Sequence, residues 1–251
     1  MTDIKHENNH TLQQHPLIAS RGVVVLPGST VSFDVVREFS IFAVEAAVQR
    51  EGIVIIASQK DFSIEDPGPR DICSVATIAK ITQVIKLSEG AVRIMVRGIA
   101  RCDLLKAEKK EHFFVGIVFP ISEIEAPAES AEREALLRSL KETFGAYATL
   151  IPKMSEDLLP GIFNEHDLGR SADLMAAQCF FDPELKQELL EQLDPVKRCE
   201  QLLEILSREN EVLKMEQEIH ARVRESIEAN QRDYYLHEQM RVIQDELGEN
   251  E

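Results

Sequence analysis

The sequence has no tryptophan, only 6% of its residues are aromatic, and no apolar run approaches the roughly 20 residues that span a bilayer. The first 15 residues carry neither the apolar stretch of a signal peptide nor the arginine-rich pattern of a transit peptide, so we predict a disordered tail at 1–15. His6 and His10 could share one helical face and bind a metal, but no neighbouring residues would hold such a helix. These absences favour a cytoplasmic protein without a membrane partner.

Motifs of nucleotide-binding, esterase and zinc-protease sites are also missing. The chain contains no GxxxxGKS/T, GxSxG or HExxH sequence, and His237-Glu238 begins the last of these without a second histidine. Four cysteines lie too far apart for a zinc or redox motif, and we expect them to be reduced and buried. They are Cys73, Cys102, Cys179 and Cys199. We therefore predict no catalytic site, no cofactor and no metal in this chain.

Basic residues are few relative to acidic ones. The chain has 28 Lys and Arg against 44 Asp and Glu, a net charge of −16. Because such a surface repels phosphate backbones, nucleic acid is not the expected partner.

From residue 16 to about residue 122 the pattern is mainly that of strands. Apolar runs end at Pro27-Gly28 and around Ser88-Glu89-Gly90, which indicate a turn and a hairpin. The predicted strands are 23–26, 31–35, 53–57, 75–87, 91–96, 99–105 and 113–119, and the predicted helix is 38–51. This order predicts a β-rich, partly closed barrel with one early helix.

Residues 123–205 have helical spacing with several interruptions. Helices are predicted at 131–150 and 167–181, with a boundary at 158–161 between them. Asp182-Pro183 and Asp194-Pro195 each place a capping residue before a proline at the first helical position. A small helical bundle is expected here.

Residues 196–247 contain neither proline nor glycine and predict one long helix, which we count as a separate part from 206 to 251. If unbroken, it would be about 75–80 Å long at ~1.5 Å per residue. Two apolar seams run along it; they are Val212, Met215, Ile219, Val223 and Ile227, then Leu236, Met240, Ile243 and Leu247. Such a helix protrudes or pairs with another helix. The predicted class is α+β: the partly closed barrel, then the bundle, then the extended helix.

Five phrases in this order resemble the amino-terminal region of the Lon protease family. They are VVVLPG (23–28), ASQKDFSIEDPGPRDI (57–72), VATIAKITQVIKLSEGAVRIMVRGIARCDL (75–104) with its V-x-G-x-x-R strand, LDPVKRCEQLLEIL (193–206) and NQRDYYLHEQMRVIQDELGE (230–249). The resemblance runs from about residue 16 to the end, and the last phrase is the most specific. The departures are Ala-Ser-Arg-Gly at 19–22 and Cys199, where leucine is common.

The resemblance implies a PUA-like fold in a hexameric, ATP-dependent serine protease that degrades misfolded and regulatory proteins. In that family the ATPase motifs and the Ser–Lys catalytic pair lie downstream of the ELGE phrase, with the sites for ATP and Mg²⁺. We therefore expect this chain to stop before the ATPase module and to be a non-catalytic, substrate-binding region that supports hexamer assembly.

A binder of many unfolded sequences needs adaptable apolar contacts. The candidates are apolar residues in strands or next to turns, together with two tyrosines of the long helix. They are Phe33, Phe62, Ile64, Leu87, Met95, Tyr234 and Tyr235. For each the alternative is ordinary packing, in the core or, for the tyrosines, against a neighbouring helix.

Two other classes of function stay open at this point. The chain could be a stand-alone coiled-coil scaffold, which would self-associate without preferring unfolded proteins. It could also be an enzyme whose site is assembled from distant residues, which would need a polar pocket with strongly perturbed pKa values.

Overall fold

The computed structural model of the chain describes residues 11–124, 130–151, 154 and 159–248. Its first part is a six-stranded sheet with one helix, α1 (Glu38–Val48), and two short 3-10 turns (Pro69–Asp71 and Ser88–Gly90). The strands are β1 (Gln13–Ser20), β2 (Thr30–Val35), β3 (Ile53–Ser58), β4 (Val75–Lys86), β5 (Val92–Lys109) and β6 (Phe114–Pro120). Their order in the sheet is β2-β5-β4-β3-β1-β6.

The 18-residue strand β5 closes this sheet into a partial ring. Its first part pairs with β2, its second part pairs with β6, and β4 runs along its other edge. The β5–β6 pairing joins the two ends of the sheet order, while β2 stays outside the ring on an edge. The predicted α+β class with a partly closed sheet and one early helix is confirmed.

Three differences from the predicted strands have physical causes. The run 23–26 is buried but is not a strand, because side chains satisfy its carbonyls: Ser20 and Ser58 hydroxyls donate to Val23, and Thr77 donates to Val25. No strand was predicted at β1, which begins at Gln13, so the disordered tail predicted at 1–15 extends too far. Residues 1–10, with His6 and His10, lie outside the described residues. The runs 91–96 and 99–105 form one strand through Gly98.

Two apolar cores hold the β-rich part together. One lies between the sheet and α1 and contains Ile18, Ala43, Val44 and Ile94. The other lies on the opposite side of the sheet and includes Leu17, Ile55 and Cys102. The alternation of side chains along each strand assigns successive residues to the two cores.

The second part is the helical bundle around a third core. Its helices are α2 (Ala131–Leu150), α3 (Leu159–Phe163), α4 (Leu168–Gln178), α5 (Pro183–Glu191) and α6 (Pro195–Leu247). The predicted helix 131–150 is confirmed, and the side chains of Asp167 and Asp194 accept hydrogen bonds from the first turns of α4 and α6. The predicted boundary at 158–161 is instead partly the short helix α3, and helix 167–181 ends earlier than predicted, at Gln178.

Helix α6 is continuous for 53 residues and begins inside the bundle. Leu202 and Leu206 belong to the bundle core, and Asn210 is still buried. The predicted start of a separate part at 206 therefore falls within a helix that packs on the bundle for about two more turns, up to Leu213. Beyond Leu213 α6 leaves the bundle.

The four cysteines are free and buried, as predicted. Burial raises the pKa of Cys102 and of Cys199 to about 12, so both thiols are protonated at neutral pH. Buried thiols of this kind pack as small apolar side chains.

Gly98 allows the 26–29 segment to lie against β5. A Cβ at this position would lie 2.4 Å from the Leu26 carbonyl oxygen, and the Gly98 backbone exchanges hydrogen bonds with Gly28 and Ser29. We predict that Gly98→Ala lowers the free energy of unfolding by about 1–3 kcal/mol, the cost of overpacking a close contact. Urea denaturation followed by circular dichroism measures this change.

Gly145→Ala is the matched control, because its Cβ would lie at an ordinary 3.6 Å from the Phe163 ring in the interior of helix α2. That variant should gain up to about 1 kcal/mol from the better helix propensity of alanine. Equal unfolding midpoints for the two variants would contradict the close approach at Gly98.

Candidate functional site

The candidates in the β-rich part are partly buried, and they lie around the edge strand β2 and the β4–β5 hairpin. Phe33 is in β2 and packs against the core under α1. Met95 is in β5, and Leu87 lies between β4 and β5, where its amide donates to the Ala91 carbonyl. Phe62 and Ile64 are in the loop after β3. Each side chain retains a partly exposed surface.

An apolar row crosses three strands at this end of the sheet. Phe33 pairs with Ile94, and Ile94 pairs with Val84 of β4. Because directly paired residues lie on the same face of a sheet, the three side chains form one line, which we call the apolar row. Ile94 is fully buried, whereas Val84 is 39% exposed.

Met95 does not join this row. It follows Ile94 in the strand and therefore faces the opposite side, where it pairs with Ser32 and Gln83. The structure thus separates two candidates, Phe33 and Met95, that both lie in paired strands.

A cavity of about 230 Å³ lies beside Phe33, and we call it the edge groove. It is lined by Ile18, Ala19, Ser20, Arg21, Val23, Phe33, Asp34, Val35, Val36, Arg37 and Ser40. Val36 is 73% exposed at this groove. Within the described strands β2 pairs with β5 alone, so its second edge is not used by the sheet. The edge groove therefore combines apolar and polar walls with a strand edge.

Two arginines connect the edge groove to the loop that carries Phe62 and Ile64. Arg37 donates to the side-chain oxygen of Gln59 at 2.6 Å, and Arg21 donates to the Ile64 carbonyl at 2.9 Å. The Gln59 amide donates to the same carbonyl at 3.0 Å. Burial, followed by the charge of Arg21, lowers the pKa of the Arg37 guanidinium. These contacts place the loop at the rim of the edge groove, near Phe33.

Val36 and Val84 were not among the predicted site residues. A signal for Val84 exists in the sequence, because the predicted strand 75–87 is much longer than its neighbour 53–57. In the structure β3 pairs only with residues 77–80 of β4. The end of β4 thus lacks this neighbour, and Val84 and Ile85 are exposed.

Tyr234 and Tyr235 lie far from this surface. They are 73% and 61% exposed on α6. Leu213 packs against the bundle core, and the tyrosines are about 30 Å further along at ~1.5 Å per residue. The structure therefore does not bring them together with Phe33.

An ion quartet joins the β-rich part to the bundle; it consists of Arg101, Asp173 and Arg198, which are buried, and Glu123, which is 35% exposed. We call it the buried quartet. Arg101 donates to both oxygens of Asp173, at 2.8 and 2.6 Å, and also to Glu123. Arg198 donates to Glu123 at 3.0 Å and lies 3.3 Å from Asp173. Both arginine side chains are only 1% exposed.

The quartet also connects to the backbone of the bundle. Arg101 donates to the Leu190 carbonyl and Arg198 to the Gln192 carbonyl. Burial raises the pKa of the Asp173 carboxyl, and its hydrogen bonds from Arg101 act in the opposite direction. The glycine and arginine of the V-x-G-x-x-R phrase are Gly98 and Arg101, so this motif has a structural role.

No set of three or more His, Cys, Asp or Glu residues suited to a metal occurs among the residues described. In the same residues, none of the helices combines the length and apolarity needed to cross a bilayer.

Comparison with known proteins gives consistent matches. Residues 14–208 match the family of the ATP-dependent protease La (LON) substrate-binding domain. The chain is 37% identical over 241 residues to a Lon protease of Heliobacterium modesticaldum and 34% identical over 236 residues to Lon protease 1 of Bacillus subtilis. These alignments cover 96% and 94% of this chain, but only 29% and 30% of the relatives. The chain thus spans about 30% of the length of its curated relatives.

Solved structures share the fold. The N-terminal domain of a Mycobacterium avium complex Lon protease superposes with a TM-score of 0.63 at 24% identity, covering 78% of this chain and 98% of that domain. A Lon N-terminal domain protein from Xanthomonas campestris gives a TM-score of 0.52 at 19% identity, covering 76% and 97%.

We predict that Asp173→Asn lowers the free energy of unfolding by about 3–5 kcal/mol, because it leaves two buried arginines short of a counter-charge. Urea denaturation followed by circular dichroism measures the loss. The control is Asp34→Asn, which removes the exposed ion pair with Arg93 and should leave the midpoint unchanged. If both variants behave alike, the quartet does not stabilise the junction.

Proposed function

Because this chain belongs to the family of Lon protease substrate-binding domains, we propose that it captures extended apolar segments of unfolded or damaged proteins for an ATP-dependent serine protease. Regulatory proteins with such segments are included among the substrates. The chain itself supplies binding, whereas ATP, Mg²⁺ and catalysis belong to a downstream module. The cytoplasm is the proposed location.

The observation that carries this proposal is the edge groove next to the apolar row. A segment lying along β2 meets Phe33 and Val36, which offer apolar contact without demanding a particular sequence. Val84, two strands away at the far end of the apolar row, offers a further exposed apolar contact on the same face of the sheet. The second edge of β2 provides backbone groups that can pair with an extended substrate segment. Backbone hydrogen bonds of this kind do not depend on the side chains of the substrate. Both features suit a binder of many unfolded sequences. Phe62, Ile64 and Leu87 extend the same proposed surface.

We expect Val36→Ser and Val84→Ser each to weaken binding of a permanently unfolded protein about threefold to tenfold, because each removes an apolar contact. Fluorescence anisotropy with a labelled, reduced and carboxymethylated protein measures the affinity, and its folded form serves as the competitor that should not bind. Both valines are partly or largely exposed, so the fold should persist.

Val48→Ser is the matched control, since Val48 is an exposed valine at the end of α1 outside the edge groove. It should bind like the unchanged chain. Equal affinities for all three variants would overturn the proposed surface. A loss with Phe62→Ser or Leu87→Ser alone would move the surface to the loop or hairpin end.

The second part of the proposal concerns assembly. We propose that the free part of α6 connects the substrate-binding region to the ATPase module and pairs with α6 of other copies in a hexamer. The exposed seam of α6 supports this role, because its residues are 45–65% exposed and recur at steps of three and four. They are Val212, Met215, Ile219, Val223 and Ile227. We also propose that the β-rich part ends near residue 122, that the bundle ends near residue 205, and that the long helix beyond it is a separate part.

The double variant Ile219→Gln/Val223→Gln should reduce self-association, because it removes two adjacent seam contacts. Sedimentation velocity over a range of concentrations measures the change. Glu218→Gln/Glu225→Gln is the control on the same helix and should not reduce association. If self-association depends on the seam while unfolded proteins are ignored, the stand-alone coiled-coil scaffold becomes the better account.

A further inference from the structure

Two like charges lie directly opposite each other where β4 and β5 pair. Lys80 and Arg97 are partners in the register of these strands, so their side chains share one face of the sheet. Both are exposed, and within the described part of the chain neither has an ion-pair partner. Like charges in this position destabilise a sheet. The chain has 44 acidic residues, yet none of the carboxylates in its described part neutralises these two cations.

The two cations line a cleft of about 560 Å³ at the junction of the sheet and the bundle, which we call the junction cleft. The buried quartet reaches this cleft through Arg101, Glu123 and Asp173, and its two cations and two anions balance. Arg170 also lines the cleft, but it pairs with Glu165 at 3.3 Å. Lys80 and Arg97 therefore give the junction cleft an uncompensated positive charge.

An apolar side chain stands beside these cations. Ile99 is 50% exposed and lines the same cleft, two residues after Arg97 in β5. A ligand that fits both features carries negative charge next to an apolar group. Acidic peptide segments have this combination, because a few carboxylates can stand next to apolar side chains. Nucleic acid carries a phosphate at every nucleotide, so a chain with a net charge of −16 repels it more strongly than a peptide with two carboxylates.

Building on the proposed function, we propose that the junction cleft binds acidic segments of protein substrates, with Lys80 and Arg97 each pairing with a carboxylate and Ile99 contacting a neighbouring apolar side chain. Alternate residues of an extended chain point the same way and lie about 7 Å apart. Two acidic residues separated by one residue therefore reach both cations. The junction cleft is distinct from the edge groove, so one substrate can present an apolar segment to one and an acidic segment to the other.

The test uses two labelled peptides that differ only in a Glu-x-Glu or Gln-x-Gln pair within the same apolar context. The full chain should bind the glutamate peptide more tightly in fluorescence anisotropy, and the preference should diminish as salt rises from about 0.05 to about 0.3 M. Lys80→Gln and Arg97→Gln should each weaken binding of the glutamate peptide about twofold to fivefold, as for an exposed ion pair. Neither variant should weaken binding of the glutamine peptide.

Lys86→Gln is the matched control, because it removes the same charge from β4 outside the junction cleft. Its affinity for the glutamate peptide should stay unchanged. The urea midpoints of Lys80→Gln and Arg97→Gln should equal or exceed that of the unchanged chain, since each removes a like-charge pair. A lower midpoint would show that the pair is compensated within the chain and would overturn the inference.

Other outcomes separate this inference from the proposed function. If binding of unfolded protein depends on Val36 and Val84 while the glutamate and glutamine peptides bind equally, the inference fails and the proposed function stands. If the two peptides bind equally and tripolyphosphate displaces the glutamate peptide, the junction cleft is a general anion site and the inference also fails. A glutamate preference lost in Lys80→Gln but kept in Val36→Ser supports it.

Discussion

The buried quartet of Arg101, Asp173, Arg198 and Glu123 is the constraint on which the arrangement of the two parts depends. Two guanidinium groups with 1% exposure depend on both carboxylates as counter-charges, because a buried charge without a partner is strongly unfavourable. The loss of any partner leaves a charge buried without compensation. The quartet therefore fixes the positions of strand β5 and helices α4 and α6 relative to one another.

The two proposed binding surfaces follow from the same strand. Gly98 admits the 26–29 segment against β5, and Arg101, three residues later, enters the quartet. The first part of β5 pairs with β2 beside the edge groove, while its middle lines the junction cleft. Because Arg198 lies in the first turn of α6, the quartet links the sheet that carries both proposed surfaces to the start of that helix.

Local patterns predicted much of the fold. The bounds of α2, the start of α6 and the β4–β5 hairpin follow from spacing, capping residues and turn residues. The start of α5 follows from Pro183, because the predicted cap Asp182 makes no side-chain hydrogen bond to the helix. The run 23–26 was misassigned because its carbonyls accept hydrogen bonds from side chains, two of which, Ser58 and Thr77, are remote in sequence. The quartet could not be predicted, since Arg101 and Asp173 are 72 residues apart. Phe33, Phe62 and Ile64 were predicted as separate candidates, and their position around one groove was not predicted. The facing and exposure of each side chain depend on strand register, which places Met95 on the opposite face and Val84 in the apolar row.

Capture of unfolded polypeptide at the edge groove is the central claim, and site-specific crosslinking tests it most directly. A photoreactive phenylalanine analogue would replace Val36 in one variant and Val48 in another, and each would be irradiated with a labelled protein in folded and unfolded forms. We expect crosslinks to the unfolded form from position 36 and background levels from position 48. Equal crosslinking from both positions, or crosslinking that ignores the folding state, would contradict the account.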